Sequence, residues 1–302
     1  MSAWDHYHLP GTVAEALTHL VRYGGAAKVV AGGTDLLLDL EQGHRPRVAA
    51  LVDVTRIPEL TKISAADGWV YVGAAVTHTA IVASPLLAER ATCLVESCGV
   101  IGGPQVRNVA TLGGNVAHAL PAGDGTLSLV ALEAEAEVAG PLGREWRPVR
   151  ALYGGPGQST LAAAEIIVQF RFRGGDLTQH EASAFRRIMR PQGVALPILG
   201  LAVWVALDGP AIRAARIALG PAGPTPMRAL AAEAGLAGRA LDEAALEQAI
   251  EQVWSAAQLR TSAHRATAAY RREMVAVLLR RALTLAVARA RTGVAVPQGL
   301  GE

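Results

Sequence analysis

Two glycine-rich stretches place a bare backbone where it could grip a ligand. They are Val29-Val30-Ala31-Gly32-Gly33-Thr34-Asp35-Leu36 and, roughly eighty residues on, Thr111-Leu112-Gly113-Gly114-Asn115. Paired glycines reach positive φ and let the main chain lie against a ligand with no Cβ between them. Each pair is flanked by a hydroxyl or amide side chain that can bond phosphate oxygens beside exposed N–H groups. Two such stretches suit a ligand long enough to need two clamps, such as a dinucleotide. The first follows a strand and precedes a helix, so its N–H donors would favour an anion. It is not the G-x-G-x-x-G fingerprint, and the chain has no G-x-x-x-x-G-K-[ST] phosphate loop. A tight turn in which Thr34 caps the following helix explains the same residues, and spacing alone does not choose.

The second stretch is longer. It runs from Ile101-Gly102-Gly103-Pro104-Gln105-Val106-Arg107-Asn108 through Thr111–Asn115 to Pro121 and Asp124. Its glycines, asparagines and lone arginine cannot bury a regular apolar face, but its amides can surround a polar ligand. Asp124 could accept hydrogen bonds from ribose or ribityl hydroxyls, or cap the helix that follows.

Positioning these residues requires the following elements. Thr12 and Glu15 form a capping box for a helix that stops at Gly24-Gly25. A strand at 28–31 feeds the first stretch, and 35–42 turns helical. Strands follow at 49–54 and 69–73, then helices at 77–82 and 86–100, separated at Ser84-Pro85. Beyond the second stretch come a helix at 125–132 and strands at 135–139, 145–149 and 165–172. Gly174-Gly175 is the boundary, giving domains 1–175 and 176–302. The second domain reads as three strands (183–188, 197–207, 211–219) followed by helices at 227–234, 243–257 and 263–291, an α+β order with segregated layers.

Bulk properties narrow the class. A chain of 302 residues with 51% hydrophobic and 18% charged residues is globular and long enough for two domains. Its net charge of +2, without basic runs, argues against a nucleic-acid surface. No signal-peptide pattern is evident at the amino terminus. The longest apolar run, 194–207, is broken by Pro197 and Gly200 and is too short for a membrane helix. Cys93 and Cys98 are too few for an iron–sulfur cluster and read as buried thiols, in keeping with a reducing cytoplasm.

Taken together, Ala31-Gly32-Gly33-Thr34-Asp35-Leu36, Gln105-Val106-Arg107-Asn108 and Thr111-Leu112-Gly113-Gly114-Asn115 resemble the FAD-binding (medium) subunit of molybdenum hydroxylases, the xanthine dehydrogenase and aerobic carbon monoxide dehydrogenase family. The likeness extends to Tyr7-His8-Leu9-Pro10, Leu51-Val52-Asp53-Val54, Ala164-Glu165-Ile166-Ile167, Arg216-Ile217-Ala218-Leu219-Gly220 and Ala269-Tyr270-Arg271-Arg272-Glu273-Met274. The resemblance implies a PCMH-type FAD-binding domain of two subdomains, followed by a small α+β flavoprotein domain with a three-stranded sheet and helices. It implies that Val29, Val30, Ala31, Gly32, Gly33, Thr34, Asp35 and Leu36 wrap the FAD diphosphate, with Thr111, Leu112, Gly113, Gly114 and Asn115 as the opposite wall. Asp124 would bond the sugar-like part, Ile101 would pack near the adenine, and Ile167 would lie against the flavin. Phe185 and Arg187 stand where many relatives carry Tyr and Lys near the flavin; the Phe lacks a hydroxyl, and the Arg keeps a cation. His118 would touch FAD or sit exposed in a loop.

Two cysteines cannot supply the extra cluster of the 4-hydroxybenzoyl-CoA reductase branch. Molybdopterin and [2Fe-2S] clusters would therefore lie in a large and a small partner subunit, within an (αβγ)2 hetero-hexamer. The implied role is electron transfer from those clusters through FAD to NAD, quinone, cytochrome or oxygen, in the cytoplasm or, for a quinone, at the inner face of the membrane. The resemblance names no catalytic acid or base and no metal ligand in this chain. A stand-alone FAD oxidoreductase and a non-enzymatic nucleotide-binding subunit are the competing readings. The pairs Arg271-Arg272 and Arg280-Arg281 read as a solvated helix face, or as a subunit contact.

Overall fold

In the computed structural model, which describes residues 3–190 and 196–299, the amino-terminal part is built on two sheets. The first is parallel and has Val48–Asp53 at its centre, between Trp4–His8 and Ala27–Val30. Ala50, Leu51 and Val52 are fully buried, as a strand covered on both faces must be. The helix Val13–Arg22 covers it with Val13, Ala16 and Leu20. Its start keeps the Thr12 half of the expected capping box: the Thr12 hydroxyl accepts from Glu15 N at 3.2 Å, while the Glu15 carboxylate reaches one residue past the cap to accept from Gly11 N at 2.7 Å.

The second sheet is antiparallel, in the order Ile63–Ala66, Trp69–Gly73, Ile166–Phe172, Glu135–Gly140, Gly143–Pro148. Its apolar face packs on the helices Thr92–Gly99 and Asp124–Ala131, both buried along their whole length. The helix expected over 86–100 is divided, because Ala91 adopts φ −148° and ψ 50° between Pro85–Arg90 and Thr92–Gly99. Both cysteines are buried, as expected, and burial pushes the Cys93 thiol up to about 11.

The carboxyl-terminal sheet is a meander of Glu181–Met189, Pro197–Asp208 and Ala211–Gly220. The central strand is buried on both faces, which accounts for the long apolar run; residues 194 and 195 of that run lie outside the described residues. Ala202, Trp204 and Ala206 join the core around Thr92–Gly99, whereas Leu199, Leu201, Val203 and Val205 lie under the helices Leu230–Leu236, Glu243–Ala256 and Ala268–Thr292. Two-residue strands, Met227–Arg228 and Arg239–Ala240, extend the expected three; both are too short to carry a hydrophobic period. The last helix starts five residues later than expected, where the Thr267 hydroxyl accepts from Tyr270 N at 3.1 Å. The solvated-face reading holds for Arg272 and fails for Arg271, which is buried with 2% exposure. No helix among the described residues is long and apolar enough to cross a membrane.

Candidate functional site

At the end of Ala27–Val30 the chain leaves the sheet, turns at Gly33 (φ +67°) and enters the six-residue helix Leu36–Glu41. Val29, Val30, Ala31 and Leu36 pack into the cores around the parallel sheet and so fix the turn. Gly33 O and Asp35 O accept from Leu37 N and Asp39 N, each at 2.9 Å. The N–H groups of Gly33, Thr34 and Asp35 have no hydrogen-bond partner among the described residues, and all three residues reach the surface. Thr34 does not cap the helix; Asp35 occupies the cap position, and its side chain makes no cap bond. Three open donors in a glycine turn form a nest for an anion.

The second stretch has a different construction. It is helical at Pro104–Val109 and Leu112–Ala117, against the expectation of an irregular loop. The Thr111 hydroxyl caps the second of these helices by accepting from Gly114 N at 3.1 Å. Leu112 N and Gly113 N donate to Val76 O and Ala74 O at 3.1 and 2.8 Å. A Cβ on Gly113 would stand 2.6 Å from Ala74 O, so this glycine serves close internal packing. Arg107 donates to Gly102 O at 3.0 Å and closes its own loop. Asn115 Oδ1 accepts from Thr126 N and its hydroxyl, both at 3.2 Å, and caps the helix Asp124–Ala131 from outside. Within 111–115 only Gly114 is exposed. His78, beside this stretch, donates its backbone N–H to Ala110 O at 3.0 Å, and burial pulls its imidazole down to about 4.

The two stretches touch. A Cβ on Gly32 would fall 2.1 Å from Val109 O and 2.8 Å from Ala110 Cα. His118 Nε2 lies 4.0 Å from Asp35 Oδ1. The open turn at 32–35 therefore shares an edge with Val109, Ala110 and His118 across that contact.

A second group of expected residues assembles beside the first. Asp124 Oδ2 accepts from Arg187 Nη1 at 2.6 Å, with both side chains almost wholly buried. Arg187 also donates to Val100 O, while Asp124 Oδ1 and Arg187 Nε lack partners. Burial pushes the Asp124 carboxyl up to about 6, and the guanidinium opposes that shift. Asp124 is not the helix cap; Gly123 holds that position. The Phe185 ring packs over Gly200, where a Cβ would meet Phe185 Cζ and Asp124 Oδ1, each at 3.3 Å. A cavity of about 360 Å³ opens against Val100, Phe185, Arg187 and Met189. Ile101 is half-buried next to Val100, and Ile167 is buried inside the antiparallel sheet. Asn115 joins the two groups, since its Oδ1 lies 3.1 and 3.2 Å from the Cβ positions of Gly123 and Gly125 on either side of Asp124.

Sequence reading missed Glu96. Buried beside the cavity, it accepts from Phe185 N at 2.7 Å, Arg289 Nη2 at 2.6 Å and Gln298 N at 2.9 Å. Partners this distant in sequence leave no local spacing to detect.

The open donors of Gly33, Thr34 and Asp35 fit a diphosphate that the backbone approaches directly, while Gly32 serves close packing on Val109. Comparison with known proteins points the same way. Residues 2–172 match the FAD binding domain in molybdopterin dehydrogenase, and residues 183–286 match the CO dehydrogenase flavoprotein C-terminal domain. The chain is 31% identical to the xanthine dehydrogenase FAD-binding subunit of Escherichia coli over 285 residues, covering 94% of this chain and 96% of that one. It is also 31% identical to the carbon monoxide dehydrogenase medium chain of Hydrogenophaga pseudoflava over 283 residues, 94% and 97% of the two chains. The solved carbon monoxide dehydrogenase from Hydrogenophaga pseudoflava superposes with a TM-score of 0.88 over 94% of this chain and 98% of that one.

Proposed function

Because this chain belongs to the family of FAD-binding subunits of molybdenum hydroxylases, we propose that it holds FAD and passes electrons from partner [2Fe-2S] clusters to an external acceptor. Bound FAD would supply the redox chemistry, taking up electrons and releasing them to the acceptor. The observation that carries the reading is the open nest: the N–H groups of Gly33, Thr34 and Asp35 are free to bond diphosphate oxygens, next to the Gly32 contact with Val109. The Thr34 hydroxyl adds a further donor. Gly114 and His118 border the same ligand from the second stretch, which otherwise serves to hold the first in place. Asp124 fixes Arg187 by a 2.6 Å ion pair, keeping a cation at the wall of the cavity beside Phe185. That arrangement favours an electron-rich group there. Ile101 and Ile167 supply apolar support.

In this reading the FAD-binding part ends at Gly174-Gly175, and the complex is completed by a molybdopterin subunit and a [2Fe-2S] subunit, doubled into a hexamer in the cytoplasm. The test is to co-purify the complex and reduce it with its substrate. The flavin absorbance should bleach and return when the acceptor is added. A chain that turns over substrate alone, with its flavin and no partner subunit, would instead be a stand-alone oxidoreductase.

A further inference from the structure

The start of the long helix Ala268–Thr292 brings cations to a helix amino terminus. Further along, two of its arginines are ion-paired: Arg280 with Glu243 at 2.6 Å, and Arg289 with Glu96 at 2.6 Å. At its start, Arg265 and Arg271 bond the adjacent carbonyls of Pro197 and Ile198, and the charge of Arg260 also acts on Arg271. None of the three has an ion pair to a carboxylate among the described residues, and the first turn carries no acidic residue. The charges acting on Arg271 are those of Arg265 and Arg260, all positive. A helix amino terminus already carries positive partial charge, so cations there repel it and one another.

Arg271 sharpens the anomaly. It is 2% exposed; its Nη1 donates to Ile198 O, and its buried Nε has no partner. Buried cations are ordinarily paired, because desolvation without a counter-charge is costly. Arg265 is half-buried and donates to Pro197 O at 3.2 Å, in a turn closed by Ser262 N to Ala266 O at 3.0 Å. Ala268 N and Tyr270 N are taken by the Thr261 and Thr267 hydroxyls, which leaves Ala269 N as the open donor of the turn. Guanidinium groups beside an open N–H at a helix start suit a compact tetrahedral oxyanion.

We propose that Arg260, Arg265, Arg271 and the first turn of the last helix form a binding site for a phosphoryl group, carried by free phosphate or by a nucleotide, separate from the glycine turn. It stands independently of the FAD reading, since none of its residues belongs to that site.

The experiment uses the full chain saturated with FAD, so that the glycine turn is filled. Inorganic phosphate is titrated by calorimetry and followed by thermal melting, with sodium chloride exchanged to hold ionic strength constant. Saturable binding and a rise in Tm are expected. In the Arg260→Gln/Arg265→Gln variant, whose changes are at exposed and half-buried positions, the phosphate Kd should rise roughly tenfold or more. Arg280→Gln, on the same helix, should leave it unchanged. ADP binding more tightly than phosphate would assign the group to a nucleotide, and equal or weaker binding would assign it to free phosphate. A phosphate effect no larger than that of chloride, or one retained in the double variant, overturns the site. Stabilisation by poly-glutamate but not by phosphate also overturns it, and would mark a protein-docking surface. A chain that takes up no FAD sinks the flavin reading alone, because the double variant still decides this one.

Discussion

The two glycine stretches look alike in sequence and behave differently in the fold. At 33–35 the backbone donors stay open, although Gly32 packs on Val109 without a Cβ just as Gly113 packs on Ala74. At 111–115 nearly every polar group is already used: Thr111 and Asn115 cap helices, and Gly113 packs on Ala74. The first stretch offers open donors, and the second is the frame that holds it. A glycine pair therefore marks a close approach without saying whether the neighbour is a cofactor or another piece of backbone.

The largest effect that could break this contrast is on stability at Gly113. A Cβ there meets the fixed Ala74 carbonyl, so Gly113→Ala should lose about 2–4 kcal/mol in guanidinium unfolding of the FAD-free chain. Unchanged stability would mean that the frame is not closed as described.

Next comes a pH dependence carried by the buried groups of the frame. His78 takes a proton near 6.5 when unfolded and only near 4 when folded. The unfolded state thus holds more protons between those values, and stability rises with pH across that window by up to about 3 kcal/mol. Asp124 opposes this: its folded carboxyl keeps a proton up to about 6 against an unfolded 3.8, so its contribution falls as pH rises. Asp124→Asn removes the opposing slope, and its stability must climb more steeply between pH 4 and 6 than that of the unaltered chain. Identical slopes would contradict the assignment.

Asn115→Ala removes a cap supplied across the chain and should lower stability by about 1 kcal/mol, visible in the same unfolding curves. Smallest of all, Thr34→Ala should leave stability within about 0.5 kcal/mol while weakening FAD binding roughly fivefold in a fluorescence titration. A fall in stability matching that of Gly113→Ala would erase the distinction between ligand turn and frame.

Much of this was legible from residues close in sequence. The Thr12 cap, the buried strand after Pro197 and the glycine turn after Val30 each follow from local pattern and appear where that pattern places them. What escaped depends on distance. The helical character of 104–117 comes from packing on Ala74 and Val76, which overrides a composition rich in glycine. The Asp124–Arg187 pair joins residues 63 apart, and Glu96 meets Arg289 across 193. Arg271 reads as a surface residue because its burial is imposed by the strand that carries Ile198.

The central claim is that the open turn at 32–35 takes the FAD diphosphate. Equilibrium titration of the purified FAD-free chain with FAD, for the unaltered protein and for Gly33→Ala, tests it directly. The account predicts a yellow, saturable complex whose Kd rises about tenfold or more when a Cβ strains the positive-φ turn at Gly33. A chain that stays colourless in excess FAD, or a variant that binds as tightly as the unaltered protein, would contradict it.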